Sequence, residues 1–322
     1  MQLTGIHHVS ALTASAKKNY TFYTEVLGMR LVKKSVNQDS PNMYHLFYAD
    51  EIGSPGTDLT FFEMIGVGHT YEGNNSISLT SLRVQNDEAL SYWVERFNQY
   101  EVKHQGIEKQ FGRSVLFFQD PEGQRLMLVS DQENKGVASG IPWEKSPVPQ
   151  RYGITGLGPV KLTVPEKEMS AKVLTTIMGF RKVGSYSAYQ EGQPEVEVYQ
   201  TGEGGTGAEV HLEIRVDLAK EKPGRGSVHH VAFRVSDKKE LEEWHHRLKQ
   251  ERIPNSGVVD RYYFQSLYFR EPNGILYELA TDGPGFTTDE SSEHLGESLA
   301  LPPFLEKQRS EIESNLTPLI TK

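Results

Sequence analysis

Apolar and polar residues alternate in several short runs of this chain, the spacing of strands with one buried face. In VHHVAFRV (228–235), Val231, Phe233 and Val235 share a face with His229, and His230, Ala232 and Arg234 share the other. In GILYELA (274–280) the apolar set is Ile275, Tyr277 and Leu279, which leaves Glu278 on the opposite face. Between such runs the apolar period lengthens to that of a helix, as at Leu241, Trp244, His245 and Leu248. The first quarter reads as a strand over 5–13, a helix over 14–26 and further strands up to residue 64. The same order recurs from residue 76, with a helix over 87–100 and strands around 114–118 and 125–130.

The pattern also repeats over a longer distance. TGIHHVSAL at Thr4 matches TGLGPVKLT at Thr155, and LGMRLV at Leu27 matches MGFRKV at Met178, both at an offset of 151 residues. RVQNDEALSYWVERFNQ at Arg83 and RVSDKKELEEWHHRLKQ at Arg234 keep that offset, pairing Trp93 with Trp244 and Arg96 with Arg247. FFQDPEGQRLMLVSD at Phe117 and YFREPNGILYELATD at Tyr268 keep it again. A constant offset over four segments marks an internal duplication. The predicted fold is therefore α+β, built from four β-α-β-β-β modules in two halves, 1–142 and 152–282. A Pro-rich linker (143–151) joins the halves, and residues 283–322 form a loop and a helical tail suited to packing or to a homo-oligomer contact.

Face parity turns this pattern into a site. The apolar faces should pack on the module helices, so His230 and Glu278 point to the open side of the sheet. In the third module Val160, Leu162 and Val164 form the apolar face and align with Val9, Ala11 and Thr13, which puts His8 on the open side. The second copy holds Pro159, Leu79 and Met127 at the equivalent positions, none of them a metal ligand. Two imidazoles and one carboxylate form a facial triad whose open positions suit Fe(II), with Mn(II), Zn(II) or Ni(II) as alternatives. The reading requires modules one and four to close into one cup. Strict alternation puts His7 and His229 on the other side.

Composition narrows the classes. The chain of 322 residues has no cysteine, which excludes disulfides, zinc–thiolate sites and thiol nucleophiles. A net charge of −9 argues against a general nucleic-acid binder. No apolar run is long enough to span a membrane, and the first residues lack the character of a signal peptide, so a cytoplasmic enzyme is the expectation. The glycine-rich TGEGGTGAEV (201–210) lacks the Lys-Ser/Thr of a phosphate loop and reads as a hairpin turn. His45, His69, His104, His211 and His294 have no partner at ligand spacing.

Paired β-α-β-β-β modules, a histidine in the opening strand, HHVAF and the closing PNGILYEL resemble the vicinal oxygen chelate superfamily of glyoxalases and extradiol dioxygenases. Ligands divided between modules one and four resemble its branch that cleaves hydroquinones, including methylhydroquinone and chlorohydroquinone. The resemblance spans residues 4–282 and extends to the tail LPPFLEKQRSEIESNLTPL. It implies two cup-shaped half-barrels, His8, His230 and Glu278 as iron ligands, and a small aromatic diol and O2 as reactants, without an organic cofactor. It also implies an active-site phenol at Tyr268, ten residues before Glu278, and a pocket arginine at Arg261. His7 and His229 match the branch's His-His pairs, for which a supporting role is expected. Two other functions remain within the superfamily. A glyoxalase-like isomerase or thiol transferase would usually bring a second carboxylate, but Met127 stands there. A non-catalytic resistance protein that binds small molecules would commonly lack the triad.

Overall fold

The computed structural model describes residues 1–321. The fold is α+β, with two curled eight-stranded sheets. In the first sheet the strands run, in spatial order, Asn255–Asp260, Phe264–Arg270, Leu276–Pro284, Val228–Val235, Ile6–Thr13, Asp58–Glu63, Ser40–Ala49 and Arg30–Asn37. These are the strands of modules four and one, joined where Ile6–Thr13 pairs antiparallel with Val228–Val235. The second sheet holds modules three and two, joined by the antiparallel pair Ser76–Val84 and Ile154–Val164. Each sheet thus takes one module from each half of the duplicated sequence.

The helices follow from their caps and apolar stripes. Asn86 accepts a hydrogen bond from the Ala89 amide at 3.0 Å and opens the helix Asp87–Gln99, which buries Ala89, Leu90, Trp93 and Phe97. Asp237 does the same for Lys238–Gln250, which buries Leu241, Trp244 and Leu248. The repeated arginines explain themselves here. Arg96 donates to the carbonyls of Val26 and Glu25, each at 2.7 Å. Arg247 donates to those of Ile177 (2.9 Å) and Thr176 (2.6 Å), the same pair of positions 151 residues on. Those carbonyls end short helices whose second halves widen to π geometry, at Thr21–Val26 and Val173–Ile177.

The main core lies between the helices and the sheet faces that carry Val9, Ala11, Val231, Phe233 and Leu279. A smaller apolar cluster, including Phe47, Ala232, Phe264 and Phe286, lies on the inner face of the first cup. Phe233 is fully buried, with its ring edge-on to Tyr277 at 5.5 Å and to Phe180 at 5.4 Å. Phe233→Ala should therefore cost about 3–5 kcal/mol in a denaturant titration. A loss under about 1 kcal/mol would mean that the core closes over the gap. Among the described residues no helix is long and apolar enough to cross a membrane.

Candidate metal centre

The joining of modules one and four brings His8, His230 and Glu278 together. One ligand atom from each lies within 4.8 Å of the others, and all three side chains are buried. Glu278 Oε2 stands 2.9 Å from His230 Nε2 and 3.2 Å from His8 Nε2, and the two Nε2 atoms are 3.2 Å apart. Despite this closeness, neither Glu278 oxygen has a hydrogen-bond partner of good geometry among the described residues. Burial alone would raise the Glu278 pKa, but the facing imidazoles hold it well below the usual carboxylate range. Burial holds the His230 pKa below its ordinary value, against the pull of Glu278. A buried carboxylate with unpartnered oxygens, facing two imidazole nitrogens, is costly unless a cation joins them. These donors fit a divalent metal that keeps open positions.

The histidine doublets depart from strict alternation. Ile6 lies opposite Phe233 and His8 opposite Ala232, so His7 is an extra residue on its strand. On the partner strand Ser10 lies opposite His230 and Ala11 opposite Val228, so His229 is the extra residue there. Each doublet therefore sits at a β-bulge. Ile6 and Val9 both enter the core, and both histidines between them turn away from it. The expected placement of His7 and His229 off the cup is thus corrected. His7 packs on Phe264 of the inner cluster at 5.2 Å between ring centres, and His229 lines the cavity.

The two doublets are wired alike. His7 Nδ1 lies 2.9 Å from His8 Nδ1, and His229 Nδ1 lies 2.7 Å from His230 Nδ1. With His8 Nε2 given to a metal, its proton is on Nδ1 and donates to His7 Nδ1. His7 then carries its own proton on Nε2, which donates to the Thr281 carbonyl at 3.0 Å. Burial, and next the neighbouring His8, lower the His7 pKa to about 3, which keeps this chain neutral. His7→Ala should weaken metal binding about ten- to hundredfold in a competitive metal titration. An unchanged affinity would show that the strand alone orients His8.

A cavity of about 410 Å³ opens over His8, His230 and Glu278. Tyr268 sits directly across the strand pair from Glu278, with its ring edge-on to His230 at 5.9 Å. Burial, then the Glu278 charge, push its phenol above the ordinary value, so it is a neutral proton donor. Arg261 donates through Nε to the Tyr268 oxygen at 3.2 Å and through both Nη atoms to the Asp39 carboxylate at 3.2 and 2.9 Å. That ion pair pins the turn between two strands of module one across the cavity mouth. Phe62, Met43 and Phe264 supply apolar wall.

One residue set aside in the sequence belongs here. His45 lines the cavity between the rings of Phe47 (3.9 Å) and Phe62 (4.1 Å), and its Nε2 is 3.0 Å from Thr60 Oγ1. Burial, then His8 and His230, hold its pKa well below the ordinary value. Alternation carried the signal, because Tyr44, Leu46 and Tyr48 are core residues and leave His45 on the other face. In the second cup Leu79 and Met127 instead join Val115 and Val129 in an apolar cluster.

Known proteins share this architecture. The chain matches the family described as "Glyoxalase/Bleomycin resistance protein/Dioxygenase superfamily" over residues 5–128 and again over 156–279. It is 55% identical over 319 residues to MhqA of Bacillus subtilis (strain 168), which is named as a ring-cleaving dioxygenase; the match covers 99% of this chain and 100% of that one. It is 30% identical over 324 residues to the chlorohydroquinone/hydroquinone 1,2-dioxygenase of Sphingobium indicum, covering 97% of this chain and 95% of that one. A crystal structure from Bacillus subtilis, described as a dioxygenase, superposes with a TM-score of 0.89 at 33% identity, covering 100% and 99% of the two chains. Maize glyoxalase I, at 16% identity, shares the fold with a TM-score of 0.62, covering 86% of this chain and 92% of that one. With both halves of its duplicated sequence matched, the chain belongs to the glyoxalase/bleomycin resistance protein/dioxygenase superfamily.

Proposed function

We propose that this protein is an Fe(II)-dependent, extradiol-type dioxygenase that opens hydroquinone- or catechol-type rings with O2. The observation that carries the reading is the buried triad His8, His230 and Glu278 at the base of a largely apolar cavity. Its similarity to relatives named for ring cleavage supports the same reading. Ferrous iron supplies a Lewis acid that acidifies a bound phenol and a redox centre that lets electrons pass from ring to O2.

The chain's own groups divide the remaining work. His8, His230 and Glu278 hold the metal, and His7 and His229 set the orientation of the two imidazoles through their Nδ1 atoms. Phe62, Met43 and Phe264 hold the ring and exclude water. Tyr268, its oxygen already accepting from Arg261 Nε, keeps its own O–H free to donate to a substrate oxygen. His45, kept neutral by burial and with its Nε2 facing Thr60, offers Nδ1 as a hydrogen-bond acceptor for a substrate hydroxyl. Both oxygen atoms enter the ring-opened product, and no organic cofactor is required.

The test is to load the chelator-treated protein with Fe(II) under argon and follow O2 uptake with hydroquinones and catechols. One O2 consumed per ring, with a ring-opened product gaining both oxygens by mass spectrometry, is the expected result. Parallel samples with Mn(II), Zn(II) and Ni(II) identify the competent metal. Bound iron with no uptake on any diol, alongside isomerase turnover with the zinc or nickel form, would overturn the reading.

A further inference from the structure

The second sheet encloses a cavity of its own, about 650 Å³. Its lining repeats that of the first at the 151-residue offset. Leu79 stands for His230, Phe117 for Tyr268, Val196 for His45 and Glu213 for Phe62. The chemistry is inverted: the metal-ligand end is apolar and a wall that is apolar in the first cup is charged. Leu79 and Phe117 supply the apolar end, and Met127 packs in the same buried cluster as Leu79.

The polar wall comes from module three. Glu213, buried at 8% exposure, accepts from Thr163 Oγ1 at 2.7 Å and lies 3.4 Å from Lys161 Nζ. That separation is at the long limit of a hydrogen bond. Nearby runs a polar chain of Arg113, Glu209, His211 and Tyr186. The Glu209 carboxylate accepts from Arg113 at 2.8 and 2.9 Å and from Gln200 at 2.6 Å, and lies 3.2 Å from His211 Nε2. Burial works against its charge, yet hydrogen bonds from His211 and Arg113 bring its pKa down to about 2. His211 must therefore carry its proton on Nε2, which leaves Nδ1 to accept the Tyr186 O–H at 3.0 Å. The Tyr186 oxygen, with its proton committed, has only lone pairs for the cavity that it lines.

We propose that this second cavity is a binding site for a small hydroxylated aromatic ring, with its hydroxyl bridging Lys161 and Glu213 and its ring on Leu79 and Phe117. A neutral hydroxyl accepts from the ammonium and donates to the carboxylate at once. A carboxylate would meet Glu213 and an amine would meet Lys161, so either would be repelled by half of the pair. A second hydroxyl would find its acceptor in the Tyr186 oxygen. The site takes the chemical class proposed for the first cup, needs no metal, and stands independently of ring cleavage.

The experiment is an anaerobic titration of the full-length, chelator-treated protein with hydroquinone, read by NMR of the Met127 methyl group. A saturable shift of that methyl is expected, and Lys161→Met should weaken it about tenfold or more. Tyr186→Phe, which removes an oxygen and leaves the ring, is a second variant for use if the first does not fold. Both variants, loaded with metal, should keep turnover in the first cup within about twofold. An unshifted Met127 methyl, or a shift that benzene reproduces and Lys161→Met leaves unchanged, would overturn the proposal. A protein that shows the shift yet cleaves no ring would refute only the reading of the first cup.

Discussion

Glu278→Ala is expected to abolish metal binding and ring opening together, with at least about a thousandfold loss of turnover. The metal centre would keep two neutral imidazoles and lose the only carboxylate, so its affinity and its placement over the cavity both fail. Lewis-acid stabilisation worth several kcal/mol goes with it, and each 1.4 kcal/mol is a factor of about ten. The fold should survive. Glu278 is wholly buried and faces His230 and His8 at 2.9 and 3.2 Å, so its removal takes away a desolvated charge together with the contacts that hold it, and the surrounding core is left intact. The metal-free variant should melt somewhat below metal-free wild type, because the imidazoles that hold the Glu278 pKa down lose their partner. Metal analysis, O2 uptake and a thermal melt check the three parts. A variant that keeps stoichiometric metal and turns over would refute the assignment of this carboxylate.

Tyr268→Phe should lower kcat by about 10²- to 10⁴-fold while leaving metal content unchanged. The phenol is held by two constraints, the strand pairing that sets it opposite Glu278 and the Arg261 Nε–H that fixes its oxygen. Phenylalanine keeps the ring packed beside His230 and removes only the phenol O–H. Steady-state rates normalised to bound metal are the measurement. A kcat within twofold of wild type would make Tyr268 a packing residue.

Much of this site was legible before any fold was known, and the reasons differ by residue. Glu278 lies between Tyr277 and Leu279, and Tyr268 between Leu267 and Phe269, all four of which are core residues. Regular alternation therefore placed Glu278 and Tyr268 on the cup face. The second copy sharpened the choice, because Leu79 and Met127 occupy the matching positions and are packed as apolar residues. The same rule failed at His7 and His229, since a bulge exists only as a mismatch between two paired strands and leaves no mark in either one alone. His45 had the right parity but no partner at ligand spacing. Its role depends on Thr60, Phe47 and Phe62 closing around it.

The sequence by itself determined the strand and helix order of the modules, their duplication, and the sheet face on which His8, His230 and Glu278 stand. These follow from one segment's periodicity against one apolar surface and from comparing the chain with its own second copy. Only the tertiary structure decided that module one pairs with module four, that both histidine doublets bulge toward the cup, and that Arg261 reaches Asp39 across its mouth. Those outcomes depend on register and closure between segments about 220 residues apart, and the free energy that selects them comes from the assembled sheet, which no single strand contains.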